Sequence, residues 1–267
     1  MHRRNALVLM SAAALGAAVP ALADEPEIRV LAAGAVAQPF KDLLIDFARE
    51  SSVKVEISFG PVGVLQTRIK NGARPDLAVL SEGAIAELEG AGLVAASPRA
   101  ELGRGTVGVA VRADTPPPDI ATPEAVKRTM LAARAIAYPD PAGGGTAGVY
   151  FVNLMERFGI AEDVKRKALL QNRGSEIAAA VADGSADIGV TFISELLPNK
   201  EVRVVGAFPS EIGLVVPYVA AVLSASRQVN ASRALIAYLT SPAAREKFKA
   251  SGLLVSAGRP AARTRNQ

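Results

Sequence analysis

Residues 138–150 read Y-P-D-P-A-G-G-G-T-A-G-V-Y, and this stretch decides the fold. An apolar run precedes it, Asp140-Pro141 is typical of a turn, and three glycines follow. Beyond them, Phe151, Leu154 and Phe158 keep the spacing of an amphipathic helix. The order strand, glycine-rich loop, helix leaves unpaired backbone N–H groups at the helix start, where an anion binds well. We therefore place Asp140, Gly144, Gly145 and Thr146 in a candidate site, with Thr146 also able to cap the helix.

The same arrangement recurs three times in the first half of the chain. Apolar runs at residues 28–32, 53–57 and 77–80 each end in small or polar residues, and a helical pattern follows. Repeated strand–loop–helix units predict a parallel sheet with helical crossovers, in which ligands bind beyond the carboxyl ends of the strands. Those ends supply the first-half candidates for ligand binding: Gly34, Ala35, Gly60, Pro61, Val62 and Ser81.

A second set of units follows the first. Residues 106–112 and 187–192 are strand-like, and Phe192 ends the second of them. Thr122-Pro123 and Ser241-Pro242 both predict helix starts, with proline at the first helical position, and Ser175 is the predicted cap of a further helix. Pro217-Tyr218 is expected to interrupt the apolar strands of residues 214–223.

Missing residue types exclude several kinds of chemistry. The 267 residues contain no Cys and no Trp, and the single His is His2. Disulfides, thiol catalysis and thiolate metal sites are therefore excluded. Histidine acid–base catalysis and histidine-ligated zinc are not expected either, and no cofactor or metal is predicted.

The first 23 residues have the pattern of a signal peptide. Arg3 and Arg4 precede a short apolar run, and Ala21-Leu22-Ala23 fits a cleavage site before Asp24. Removing Arg3 and Arg4 lowers Lys+Arg from 30 to 28 against 26 Asp+Glu, a net charge of +2. This charge is too small to predict nucleic-acid binding. We expect an exported, periplasmic, monomeric protein whose basic tail, residues 257–267, is flexible.

Six segments together resemble the molybdate-type periplasmic solute-binding proteins. They are I-R-V-L-A-A-G at 28–34, V-K-V-E-I-S-F-G-P-V-G at 53–63, R-P-D-L-A-V-L-S-E at 74–82, the opening stretch, A-D-G-S-A-D-I-G-V-T-F at 182–192 and A-Y-L-T-S-P-A-A-R-E-K-F-K-A-S-G-L at 237–253. The resemblance implies a type II binding-protein fold of two α/β lobes, each a mostly parallel sheet flanked by helices. It implies that lobe 1 holds residues 24–106 plus 219–256 and lobe 2 holds 107–218, with an anion bound between them.

Three positions depart from the family pattern. The molybdate binders that this chain resembles carry hydroxyl donors where this chain has Gly34-Ala35, Pro61-Val62 and Phe192. A buried oxyanion without donors is costly, so these changes disfavour molybdate and tungstate. The resemblance places Arg173 in a ligand-binding segment, and arginine pairs well with carboxylates. An organic carboxylate is therefore favoured, with Arg68 as a second candidate cation.

Three functions remain open. The first is a receptor that captures a small anion for the permease of an ABC transporter. The second is suggested by a branch of the same family that contains periplasmic aconitate isomerases, which interconvert cis- and trans-aconitate by allylic proton transfer. In a chain whose only histidine lies in the predicted signal peptide, the base would be Glu82, Asp140 or Tyr218. Capture of a molybdate-like oxyanion through backbone amides is a third possibility.

Overall fold

Strand β4, Ala100–Arg112, belongs to both sheets of the protein. The computed structural model describes residues 26–96 and 99–255. Residues 100–106 of β4 pair with β9, Val215–Val222, whereas residues 107–112 pair with β7 and β8. Eight strands therefore form one continuous path in the order β2-β1-β3-β9-β4-β7-β5-β6, and the ninth, β8, lies beside β4.

The first lobe is built on three parallel strands. They are β1 Glu27–Ala33, β2 Lys54–Gly60 and β3 Leu77–Ser81. Helices α1 Ala37–Ser51, α2 Val62–Lys70 and α3 Glu82–Gly90 follow these strands in turn, and a 3-10 turn at Gly34–Val36 precedes α1. Strand β3 is buried through Leu80, as expected for a central strand, while β2 lies at the sheet edge and is half-buried.

The second lobe repeats the plan with shorter strands. Strands β5 Ile136–Pro139, β6 Ala168–Gln171 and β7 Ile188–Phe192 are parallel, and β8 Val202–Ala207 runs antiparallel to β4. Its helices are α4 Pro123–Ala132, α5 Thr146–Arg157, α6 Ala161–Lys165, α7 Gly174–Ala182 and α8 Ile193–Leu196. Two helices, α9 Val229–Leu239 and α10 Pro242–Ala250, close the first lobe. The predicted two-lobe α/β fold is confirmed.

Aromatic side chains fix the last helices against the first. Phe40 of α1 is fully buried, and its ring centroid lies 5.9 Å from that of Phe248 on α10 and 6.4 Å from that of Phe59. Buried aromatic clusters of this kind contribute strongly to stability because they combine a large apolar area with favourable ring geometry. Helix α10, near the end of the chain, therefore packs into the same core as α1, near its beginning.

Helix starts test the capping predictions. Thr122 and Ser241 cap α4 and α10 by accepting hydrogen bonds from Ala125 N and Ala244 N, with proline next in each case, so both predictions are confirmed. The caps predicted at Thr146 and Ser175 are wrong. Helix α5 is capped by Gly145, and α7 begins at Gly174, so each hydroxyl already lies within the first turn.

Pro217 does not interrupt its strand. Strand β9 continues through Pro217 and Tyr218, which pair with Arg104 and Gly103 of β4. A β-bulge in β4 between Glu101 and Gly103 adjusts the register next to the proline. Arg104, the residue opposite Pro217, exchanges its backbone hydrogen bonds with Leu254 instead, so the ladder does not need an N–H group from the proline.

No described helix combines the length and apolar character needed to cross a lipid bilayer. The predicted signal peptide, residues 1–23, and the predicted tail, residues 257–267, lie outside the described residues.

Candidate functional site

A cavity of about 670 Å³ lies between the lobes, at the carboxyl ends of β1, β2, β5, β6 and β7. This is the edge at which parallel sheets bind ligands. Most of the predicted ligand-binding residues line it: Gly34, Ala35, Gly60, Pro61, Val62, Asp140, Gly145, Thr146, Arg173, Phe192 and Tyr218. The structure therefore brings the loops of both halves of the sequence to one place.

The floor of the first-lobe wall is formed by backbone and apolar surface, beside Gln38 and Lys41 of α1. Ala35 and Val62 are buried, and Gly34 begins the 3-10 turn that leads into α1. The carbonyl oxygen of Ala35 accepts a 2.7 Å hydrogen bond from the Ser194 hydroxyl of the second lobe. This buried hydrogen bond joins the two lobes at the base of the cleft.

The cations on the wall come from different lobes. Lys41 extends from α1 in the first lobe, and Arg173 immediately precedes α7 in the second. Both side chains are exposed to solvent, and neither forms an ion pair within residues 26–96 and 99–255. Arg68, the second cation expected from the sequence, points to solvent from α2 and is absent from the cavity wall. Lys41 is therefore the second cation on the cavity wall.

Asp140 has a local structural role as well as a place on the wall. Its Oδ1 accepts a 2.9 Å hydrogen bond from Ala142 N, which shapes the 3-10 turn at Pro141–Gly143. Asp140 is half-buried and lines the cavity, so its second carboxylate oxygen can contact a ligand from the side of the second lobe. Thr146 and Gly145 follow on the same wall.

Ser81, Glu82 and Gly144 do not line the cavity. Ser81 Oγ accepts a hydrogen bond from Ala84 N at 3.4 Å and so caps α3, and Glu82 is an exposed residue of the first turn. Gly144 has the positive φ of 67° that favours glycine, and its carbonyl oxygen bonds Gly63 N instead. The geometry therefore does not support our placement of these three residues in the site.

Glu195 is the acidic residue of the cleft that our sequence analysis missed. It follows β7 by three residues, in α8, and its Oε2 accepts a 2.6 Å hydrogen bond from the Thr191 hydroxyl. Backbone N–H groups of Phe192 and Gly174 also donate to the carboxylate. The rule that flagged Phe192, the carboxyl end of a parallel strand, would have found Glu195 if extended by one turn.

Burial shifts the titration of two neighbouring groups. Burial raises the pKa of the Glu195 carboxyl, although the hydrogen bond from Thr191 and those from the backbone act to lower it. Burial and then the Glu195 carboxylate raise the pKa of Tyr218 well above its usual value. Tyr218 is fully buried, with its ring edge against Phe192 at a centroid distance of 5.8 Å. At neutral pH Tyr218 is therefore a neutral phenol that can donate a hydrogen bond, and it is a poor base.

The residues described hold no cluster of three or more acidic, histidine or cysteine side chains suited to a metal ion. The cavity instead offers two cations, backbone amides, hydroxyl groups and two carboxyl groups, Asp140 and Glu195. Such a set can bind a small anionic molecule and can exchange protons with it.

Comparisons with known proteins agree with this geometry. Aconitate isomerase from Pseudomonas sp is 29% identical over 90% of this chain and 93% of its own length. The molybdate-binding protein ModA of Azotobacter vinelandii is 30% identical over 90% of this chain and 94% of its own. The solved structure of the Azotobacter vinelandii periplasmic molybdate-binding protein has a TM-score of 0.71 at 18% identity and covers 86% of this chain and 100% of that one.

The family model described as bacterial extracellular solute-binding protein matches residues 28–254, which include every strand of both lobes except the first residue of β1. The relatives and the two-lobe cleft are consistent with this family match. The chain belongs to the bacterial extracellular solute-binding protein family.

Proposed function

We propose that this protein captures a small organic acid with more than one carboxylate between its two lobes. The observation that carries the proposal is the 670 Å³ cavity with Lys41 on one lobe and Arg173 on the other. Each cation can hold a different carboxylate of one ligand, and the ligand then draws the lobes together. A single tetrahedral oxyanion is a small occupant for a cavity of this size.

The missing hydroxyls support the same conclusion. Gly34-Ala35, Pro61-Val62 and Phe192 all line the cavity, and none of their side chains donates a hydrogen bond. A buried tetrahedral oxyanion needs donors on every side. An extended carboxylate ligand can instead place its apolar carbon chain against Val62 and Phe192.

In the cell, such a receptor would deliver its ligand to a membrane permease of an ABC transporter. We propose that residues 1–23 direct export and that the mature chain acts in the periplasm. The family membership of the chain supports this placement.

A second function, aconitate isomerisation, is favoured by the carboxyl pair in the cleft. Asp140 and Glu195 reach the cavity from different segments of the second lobe, the turn after β5 and helix α8, and the relative from Pseudomonas is an aconitate isomerase. Isomerisation removes a proton from the methylene carbon of aconitate, shifts the double bond and returns a proton to the former vinyl carbon. The Asp140 carboxylate would accept the first proton and the Glu195 carboxyl, whose pKa is raised by burial, would supply the second, while Lys41 and Arg173 hold the outer carboxylates.

One experiment separates these functions. Residues 24–267 are incubated with cis-aconitate, trans-aconitate, citrate, tricarballylate or molybdate, and both the melting temperature and the recovered ligand are measured. A ligand that binds only the folded state raises the melting temperature. A carboxylate that stabilises the protein and is recovered unchanged supports the receptor. Interconversion of the aconitates that stops in Asp140→Asn supports the isomerase, and stabilisation by molybdate alone contradicts both.

A further inference from the structure

Glu195 sits where the two lobes meet, in a space that leaves no room for a side chain at Gly34 or Gly174. A Cβ placed on Gly34 of the first lobe would lie 2.7 Å from Glu195 Oε1. A Cβ on Gly174 would lie 2.5 Å from Oε2 and 2.4 Å from Cδ. Real Cβ atoms essentially never approach other atoms so closely. The Glu195 carboxyl group therefore fits between Gly34 and Gly174 only because neither residue has a side chain. Its oxygen Oε1 faces the first-lobe loop that also forms the cavity wall.

The surroundings of Glu195 contain donors but no bonded cation. Thr191 and the N–H groups of Phe192 and Gly174 donate to the carboxyl group. Of the charged residues on the elements around it, Glu176 accepts hydrogen bonds from Asn172 N and Arg173 N, and Lys200 donates to the Leu197 carbonyl. The other charges on the cavity wall are Lys41, Asp140 and Arg173, and none of them is hydrogen-bonded to Glu195 in the described parts of the chain.

An anionic ligand adds a second negative charge to this space. A ligand carboxylate close to the Glu195 carboxylate would be repelled by it, and such a pair of charges relieves the repulsion by keeping one proton. Tyr218 cannot relieve it, because its phenol is already neutral at ordinary pH. Burial already raises the pKa of Glu195 before any ligand arrives, so a proton is most easily held there.

We propose that Glu195 takes up one proton when the cleft closes on its anionic ligand, and that the neutral carboxyl then donates a hydrogen bond to the bound carboxylate. This inference rests on the proposed capture of an organic acid, and it holds for either the receptor or the isomerase. Ligand capture is then coupled to the uptake of one proton. The protonated Glu195 carboxyl supplies a hydrogen-bond donor in place of the hydroxyl groups that the cleft lacks.

The pH dependence follows from linkage. The ligand raises the pKa of Glu195 above its ligand-free value. Affinity is therefore constant below the ligand-free pKa, falls by about tenfold for each pH unit above it, and becomes constant again above the ligand-bound pKa. A residue that only caps α8 would leave affinity independent of its own titration.

Calorimetric titration of residues 24–267 with tricarballylate tests the proposal. The titrations are run between pH 5.5 and 8.5 in PIPES and in imidazole, whose ionisation enthalpies differ, so the difference in measured heat counts the protons taken up. Protonation of free tricarballylate is measured separately and subtracted. We expect uptake that approaches one proton in wild type, loss of that uptake in Glu195→Gln, and retention of it in the matched control Glu176→Gln.

The outcomes separate the two claims. Binding without proton uptake in wild type, or uptake that persists in Glu195→Gln, overturns the role of Glu195 and leaves ligand capture intact. Absence of binding by every carboxylate at every pH overturns the proposed function itself. If Glu195→Gln does not fold, infrared difference spectra of wild type labelled with ¹³C-glutamate decide the question, because ligand binding must then produce the band of a protonated glutamate carboxyl.

Discussion

Gly63 and Gly144 meet across the mouth of the cleft, where Gly63 N donates a hydrogen bond to the Gly144 carbonyl oxygen at 3.2 Å. A Cβ on Gly63 would lie 3.0 Å from that oxygen and 3.1 Å from the Gly144 Cα. The lobes thus touch backbone to backbone at this point. The absence of both side chains allows the cleft to close fully.

Replacing Gly63 with Ala should weaken ligand binding without weakening the fold. The new methyl group would push Gly144 back by a few tenths of an ångström, so we expect about a tenfold loss of affinity, on the order of 1.4 kcal/mol. Alanine within a helix is favoured over glycine by up to about 1 kcal/mol, so the melting temperature of the ligand-free protein should not fall.

The control for this change is Gly83→Ala. Gly83 occupies the same second position of its helix, α3, and a Cβ there would meet nothing within 4 Å. Calorimetric affinities and thermal melts of the two variants are compared. Equal affinities in Gly63→Ala and Gly83→Ala would show that the contact does not limit closure.

Removing the cation of either lobe should reduce affinity for a carboxylate. Hydrogen bonds to charged groups contribute about 1.5–3 kcal/mol, so Arg173→Ala should lose on the order of 10- to 100-fold in affinity for tricarballylate. Lys41→Ala should lose less, because a lysine makes a single-point contact and arginine a forked one. Arg68→Ala, an exposed arginine outside the cavity, should bind as wild type does, and a similar loss there would point to a general effect of charge.

The ligand-free protein should show the titration of Glu195 in its stability. A carboxyl whose pKa is raised by folding stabilises the native state in its protonated form. Its contribution is therefore fully present below the unfolded-state pKa and is lost as the pH rises towards the folded-state pKa. The free energy of unfolding of Glu195→Gln minus that of wild type should rise with pH across this window.

Urea denaturation at a series of pH values measures this difference. Subtracting wild type from the variant removes the contributions of all other carboxylates, whose titration both proteins share. A difference that does not change with pH would mean that folding does not shift the pKa of Glu195.

Substituting Gly174 with Ala should destabilise the protein. The added Cβ would lie 2.4 Å from Cβ and Cδ of Glu195, so α7 or α8 must shift. Overpacking of this kind costs about 1–3 kcal/mol. Gly143→Ala is the matched control on the same cavity wall, because a Cβ there meets nothing within 4 Å. Thermal and urea unfolding of the two variants should differ by this amount, and equal stability would show that Glu195 moves freely.

The fold was predictable because its signals are local. Strands followed by glycine-containing loops and amphipathic helices recur along the chain, and the units assemble by a rule that applies to every parallel sheet. The errors were the strand break expected at Pro217 and small shifts at helix starts, as at Thr146 and Ser175, where a glycine or arginine one or two residues earlier takes the capping position. Nothing in the local pattern distinguishes these alternatives.

The site was predictable where backbone loops form it and less so where single side chains do. Lys41 lies on an exposed helix face, and periodicity cannot tell an exposed face that looks into a cleft from one that looks into bulk water. Glu195 lies in a four-residue helix, too short for a periodic signal. Ser81 and Glu82 fit the strand-end rule, but the hydroxyl of Ser81 is used to cap α3 and Glu82 faces solvent.

The position of β9 also governs the order in which the protein can be completed during synthesis. This strand lies between β3 and β4, at the centre of the path, yet it is the last strand to be made. Until the ribosome has passed Val222, β3 has an open edge and β4 lacks its first-lobe neighbour. All the strands of the second lobe are synthesised before that point, so every one of them is available for pairing before the first lobe can be completed.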